Sequence, residues 1–258
     1  MRVDRLSTIA AHVDGMILDQ FGVIHDGQSL YAGVLDVLEG LHARQLPVGV
    51  LTNSGRRAAA NRARLVRMGV PRDWFVDAVS SGEVAWRALM AMTPAPRVWA
   101  IGQAGEDYGF AGVTFVDDPR EADLLLILGS NAPATTLGEY REQLRGVTVP
   151  AICCNPDLLM LTRHGLLPAP GAIARVYEEL GGLVTWIGKP HAAIYADAAA
   201  LIGHPRRILC IGDSAAHDVA GARAAGHATL LVMTGVSAGL DPATFDPQPD
   251  YWMESLAW

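Results

Sequence analysis

Lysine is almost missing from this chain. Of 20 basic residues among 258, Lys189 is the single lysine and the other 19 are arginines. A guanidinium is a wide planar fork and an ammonium a compact point charge, so the lone lysine, set in Gly188-Lys189-Pro190, is a candidate for chemistry that arginine cannot do. Cysteine is scarce as well: Cys153 and Cys154 are adjacent and Cys210 stands alone. That pattern argues against a disulfide framework, and no metal-type Cys/His spacing accompanies it. The expectation is a reduced, cytoplasmic protein with buried thiols. Long apolar runs are absent too. Leu124–Leu128 falls far short of the roughly 20 residues that span a bilayer. The first twenty residues carry Asp4, Arg5 and Asp14 and hold no signal-peptide pattern, so no membrane partner is expected. Positive charge is in deficit, with a net charge of −7. This excludes a grip on nucleic acid through the overall field, while a small anionic ligand needs only one local cluster of positive groups.

What remains is globular. Hydrophobic residues make up 50% and charged residues 18%, enough for one large domain or two modest ones. Apolar runs alternate with helical patterns. Gly15–Leu18, Pro47–Leu51, Arg207–Ile211 and Ala228–Val232 read as buried strands, and Val79–Gly82 as a short strand or turn. Leu35–Arg44, Arg56–Met68 and Asp218–Ala225 read as helices. The middle repeats the rhythm, with strands at Arg97–Ile101, Ala122–Leu128 and Val149–Cys153 and a helix at Ala172–Leu180. Such alternation means βαβ units and a mostly parallel sheet, an α/β fold. Met92–Pro96 and Gly181-Gly182 read as linkers, which makes the first domain discontinuous: residues 1–82 and 183–258, with 83–182 inserted.

In parallel sheets, ligands bind beyond the carboxyl ends of the strands. Those ends carry Asp19, Thr52-Asn53-Ser54 and Asp213. A strand-end aspartate can attack as a nucleophile or hold a metal. Asp213 and Asp218 are spaced to hold a divalent cation, and carboxylates pressed together need one. Thr52 supplies a hydroxyl, Asn53 and Ser54 supply amides, and Lys189 supplies positive charge. Together these suit a transferring phosphoryl group.

The ordered set LDQFGV (Leu18–Val23), LTNSG (Leu51–Gly55), GKP (Gly188–Pro190) and GDSAAHD (Gly212–Asp218) resembles the four motifs of the haloacid dehalogenase (HAD) superfamily. The segment CNPD (Cys154–Asp157), ahead of Gly171-Ala172, resembles the class IIA branch, which includes nucleotide, sugar-phosphate and p-nitrophenyl phosphatases. The resemblance implies a Rossmann-like core with a parallel sheet, an inserted α/β cap, Mg²⁺, and hydrolysis of a small phosphorylated substrate through an aspartyl phosphate. It implies Asp19, Thr52 and Lys189 as catalytic groups, with Asp19 the nucleophile. It implies Thr52, Asn53, Ser54 and Lys189 around the phosphate. Asn155 and Asp157 lie in the segment like the family's substrate loop. Asp19, Asp213, Asp218 and the backbone carbonyl of Phe21 match its metal ligands. A homodimer is compatible with this reading.

One position departs from the pattern. The family's phosphatases carry a second aspartate where this chain has Phe21, and a general acid/base is worth about 10²–10⁴ in rate. The chain is then a slow or leaving-group-restricted phosphatase, or a binding protein for a phosphorylated metabolite that does not turn it over. An aromatic there also matches the dehalogenases, although these do not require the Asp213/Asp218 pair. His25 is a nearby candidate for the missing acid, weighed against an ordinary solvated or capping histidine.

Overall fold

The computed structural model describes residues 1–162 and 165–258. It is α/β, with two sheets whose registered strand pairs are all parallel, and a short antiparallel pair. The contacts divide it into two compact units. The first comprises Met1–Thr52, Asn61–Val79 and Lys189–Trp258; the second comprises Asn53–Ala60 and Ser80–Gly188.

The first unit is built on a six-stranded sheet in the order Tyr251–Met253, Ala228–Val232, Ile208–Gly212, Gly15–Asp19, Val48–Thr52, Ala78–Ser80. Gly15–Asp19, Val48–Thr52 and Ile208–Gly212 are buried at every residue. Strands covered on both faces read as continuous apolar runs rather than alternating ones, and these are such runs. Helices Val34–Ala43 and Ala58–Arg67 follow the first two. Val37, Leu38 and Leu41 of the former are buried with Leu65 of the latter in the core. Register places Leu18 beside Ile211 and Asp19 beside Leu51. Asp19, Thr52 and Asp213 therefore emerge from neighbouring strands at one sheet edge. The tail tryptophans anchor it: Arg2 lies 5.4 Å from the ring centroid of Trp252 and Arg44 4.8 Å from that of Trp258.

The second unit is built on a five-stranded sheet in the order Val184–Trp186, Ala151–Cys153, Leu124–Ile127, Arg97–Ile101, Thr114–Phe115. Helix Pro170–Glu179 sends Ile173, Ala174 and Tyr177 into its core. The antiparallel pair Leu159–Thr162 and Gly165–Pro168 also lies here. Met92–Pro96 and Gly181-Gly182 are loops inside this unit.

Several elements differ from expectation. The strand at 78–80 runs straight into helix Ser81–Ala91, with the Ser80 hydroxyl accepting from Glu83 N. In place of one helix over 218–225 there is a five-residue π-turn, Ala215–Val219, followed by Ala220–Ala224. Such turns concentrate at functional sites. Helix Leu137–Leu144 is opened by a capping box between Thr136 and Glu139, a readable signal that the strand rhythm overshadowed. The three cysteines are free and buried, as expected. Among the described residues no helix is long and apolar enough to cross a membrane.

Candidate active site

At the carboxyl edge of the six-stranded sheet, Asp19, Asp213 and Asp218 are all buried, and each offers an oxygen within 4.8 Å of the others'. Lys189, 4% exposed, places Nζ 2.6 Å from Asp19 Oδ1 and 2.7 Å from Asp218 Oδ1. Each acid is fixed by its own element. Asp19 closes the first strand. Asp218 sits on the π-turn, its Oδ2 accepting from Ser214 N at 3.0 Å, and Gly212 is glycine because a Cβ there would lie 2.1 Å from the Asp218 side chain. Tyr195, fully buried, braces the turn by donating to the carbonyls of His217 and Asp218 at 3.1 Å. Asp213 follows the Ile208–Gly212 strand, and its Oδ2 accepts from Val236 N at 2.8 Å.

Three carboxylates against one ammonium leave the ionised cluster two negative charges in excess. Burial, with Asp218 adding to it and Lys189 opposing it, raises the Asp19 carboxyl to about 7. Burial and the two neighbouring acids hold Asp213 well above the usual carboxylate range. Burial pulls Lys189 down, but Asp19 and Asp218 override it, so the ammonium stays charged. Without a cation, protons must supply the missing positive charge. The donor set, hard carboxylate oxygens with two charges to neutralise, fits a divalent cation such as Mg²⁺.

Thr52, also buried, ends the neighbouring strand one residue beyond the partner of Asp19. The ring of Phe21 is 37% exposed and stands edge-on to His25, with centroids 5.8 Å apart. Gly22 N donates to His25 O at 2.9 Å. In a trans peptide the carbonyl points opposite to the N–H, which turns the Phe21 carbonyl away from His25.

His25 departs from the acid and the solvated readings and keeps the capping one, since its ring accepts a backbone N–H in its own turn. It is neither solvated nor available as an acid, being 1% exposed. Its Nδ1 accepts from Gly27 N at 3.0 Å, and its Nε2 faces the Gln20 side-chain amide at 3.0 Å. Burial, reinforced by Arg64, lowers it to about 4, so it is neutral at neutral pH. Its work is to hold the turn after Asp19. Gln20 was not singled out from sequence, and nothing in its local pattern signals this contact.

The remaining candidates lie in the second unit. Asn53 Nδ2 donates to Asp157 Oδ1 at 2.9 Å, and Ser81 Oγ lies 3.5 Å from Asn53 Oδ1. Gly188 closes this group: a Cβ there would lie 2.6 Å from both Asn53 Oδ1 and Ser81 Oγ. Asn155 Oδ1 accepts from Asp157 N at 2.9 Å, a turn made by the side chain itself. Ser54 Oγ accepts from Arg56 N at 3.2 Å. The structure thus brings Asn53 and Asp157 together, while the Asn155 and Ser54 side chains shape their own loops.

Comparison with known proteins decides the family. The model of haloacid dehalogenase-like hydrolases matches residues 16–116, and a second, HAD-hydrolase-like model matches residues 186–258. The chain belongs to the HAD superfamily. A solved HAD-like hydrolase from Brucella suis matches the HAD fold seen here with a TM-score of 0.87 and 29% identity, covering 99% of this chain and all of that one. D-glycerol 3-phosphate phosphatase of Mycobacterium tuberculosis is 27% identical over 95% of this chain and 70% of its own length. A glycerol phosphate phosphatase from the same organism, solved in complex with magnesium, has a TM-score of 0.74 at 27% identity, over 95% of this chain and 76% of that one. The chain is accordingly a HAD-type hydrolase.

Proposed function

We propose that this hydrolase is a Mg²⁺-dependent phosphatase of the class IIA type, acting on a small phosphorylated metabolite through an aspartyl phosphate on Asp19. The observation that carries the reading is the buried cluster of Asp19, Asp213, Asp218 and Lys189, with its two uncompensated negative charges. The named activities of the relatives and the magnesium complex of one of them support it. Asp19, Asp213, Asp218 and the Phe21 carbonyl would hold Mg²⁺, which when bound neutralises the cluster and polarises the phosphoryl oxygens. The first unit is the catalytic core and the second the inserted cap. Thr52 and Lys189 take phosphoryl oxygens. Asn53 and Ser54 are assigned to the phosphate by chain continuity with Thr52. Asn155 and Asp157 are assigned to substrate by resemblance.

An Asp19 oxygen attacks phosphorus and the bond to the ester oxygen breaks. Water then attacks the same phosphorus, Asp19 leaves as carboxylate, and the water's proton departs with the released phosphate. Lys189 keeps its proton throughout and stabilises charge on the transferring group. The departing ester oxygen needs a proton when its conjugate acid is weak. Phe21 has none to give, and His25 is neutral and locked in its turn. The reading therefore favours aryl and other good leaving groups over alkyl ones.

The test is hydrolysis of p-nitrophenyl phosphate beside an alkyl phosphate, with Mg²⁺ and with EDTA. Activity on the aryl ester that needs Mg²⁺ and far exceeds the alkyl rate is expected. A folded chain that binds Mg²⁺ and hydrolyses neither ester would favour the second reading, a binding protein for a phosphorylated metabolite. Phe21 in place of an acid is the observation behind that alternative.

A further inference from the structure

The turn that follows the Ala228–Val232 strand reaches back to the cation site at three points. Val236 N donates to Asp213 Oδ2 at 2.8 Å and Ser237 Oγ to the Asp213 carbonyl at 2.5 Å, so the carboxylate and its own backbone are both held. Thr234 Oγ1 donates to the Gly22 carbonyl at 2.5 Å. Gly22 is the residue after Phe21, and its N–H is already committed to His25 O at 2.9 Å. Both ends of Gly22 are therefore tied, and with them the peptide that carries the Phe21 carbonyl.

Glycine makes this approach possible. A Cβ on Gly22 would lie 2.1 Å from Asp213 Oδ2, and one on Gly235 would lie 1.8 Å from the same oxygen. Both have positive φ, +94° and +52°. Two glycine backbones in the left-handed region, with no room for a Cβ, press on one carboxylate, and three hydrogen bonds close the contact, which indicates a position held for its geometry. Two of the four groups assigned to the cation, Asp213 and the Phe21 carbonyl, are thereby fixed by one turn.

We propose that Thr234, Ser237 and the Val236 N–H form a positioning clamp that sets the spacing between the Asp213 carboxylate and the Phe21 carbonyl, and so selects Mg²⁺ over larger divalent cations. The proposal rests on the cation site assigned above. Mg²⁺ demands near-octahedral ligands at about 2.0–2.1 Å, whereas Ca²⁺ accepts irregular ligands at about 2.3–2.6 Å. A fixed pair of ligands favours the first, and a loosened pair loses mainly the first. These three groups act through Asp213 and Gly22 and touch no substrate.

The experiment is calorimetric titration of the full-length, substrate-free protein with Mg²⁺ and, separately, Ca²⁺. Thr234→Val removes the hydroxyl at constant shape. Ser237→Ala removes the hydroxyl that donates to the Asp213 carbonyl and leaves a small side chain in the same buried place. Outer-shell changes of this kind cost about 10–100-fold in metal affinity. That loss is expected for Mg²⁺ in both variants, with the Ca²⁺ affinity changed by no more than about threefold. Thr234→Ser, which keeps the hydroxyl, should restore the Mg²⁺ affinity. Equal losses for both ions would make the turn a general support and overturn the clamp, as would wild-type affinities in both variants. Asp213→Asn is the control that separates the two levels. If it abolishes Mg²⁺ binding while Thr234→Val and Ser237→Ala do not weaken it, the cation site stands and the clamp falls. If the wild-type chain takes up no Mg²⁺, the site assignment falls and the clamp with it.

Discussion

The ion pairs of the second unit and the buried site of the first handle charge in opposite ways. In the second, ionic groups come as matched forks: Arg56 and Glu106 meet through two hydrogen bonds of 2.6 and 2.7 Å, and Arg57 and Glu83 through two of 2.6 and 3.0 Å. Each guanidinium answers one carboxylate and all four groups are partly exposed. In the first, Lys189 must answer three buried carboxylates. Paired ions near the surface are ordinary scaffolding and worth little singly. A buried imbalance costs stability unless something outside the chain completes it. The imbalance, more than the charge itself, marks where a ligand belongs.

The sharpest break of this contrast is at Asp19. Asp19→Asn keeps the shape and removes the attacking oxygen's charge, so turnover of p-nitrophenyl phosphate should fall by about 10⁴-fold or more, with no phosphoenzyme trapped by acid quench. Wild-type turnover by this variant would end the aspartyl-phosphate mechanism.

Next comes Lys189→Met, which strands the carboxylates. Stability in metal-free urea melts at pH 8 should drop by about 3–5 kcal/mol, with part recovered on adding Mg²⁺. The matching change in the second unit, Arg97→Met, breaks an ion pair whose side chains are about half exposed, at 51% and 50%. It should leave the urea midpoint close to that of the wild type, since solvent screens an exposed pair. Equal costs at the two sites would erase the distinction between the units.

Phe21→Asp should raise alkyl phosphate hydrolysis by about 100-fold and aryl hydrolysis much less, since only the poor leaving group lacks a proton. Equal gains on both esters would mean that something other than leaving-group protonation had been limiting.

The smallest effect is a pH dependence. The Asp19 carboxyl, raised to about 7 by burial, holds a proton in the metal-free chain below that pH. Mg²⁺ must displace it, together with any proton on Asp213, whose carboxyl burial and its acidic neighbours also raise, so affinity declines as pH falls through 7, by up to tenfold per unit for each proton displaced. Mg²⁺-induced shifts in melting temperature between pH 5.5 and 8.5 would show this, and a flat profile would place no displaced proton at the site.

The strand ends were readable because parallel strands buried on both faces leave continuous apolar runs, and the polar residue that breaks each run stands out. Asp19, Thr52 and Asp213 were found this way, and Lys189 by being alone in its class. The turn behind Asp213 was not readable. Its contacts run through the Val236 N–H and through glycines that simply leave room, and neither has a side-chain signature. His25 was misread because local pattern carries no burial: only the packed turn shows that its ring is enclosed and spoken for by Gln20 and Gly27. The π-turn likewise follows from the Asp218 carboxylate bonding back to Ser214 N, a tertiary choice that helical spacing does not encode.

The solitary lysine has a practical side. Its amine is enclosed by the fold and kept protonated by Asp19 and Asp218, so reagents that acylate lysine find no reactive side-chain amine on the folded chain. Acylation at Lys189 then records each opening of the first unit, a clock for its unfolding that needs no engineered label.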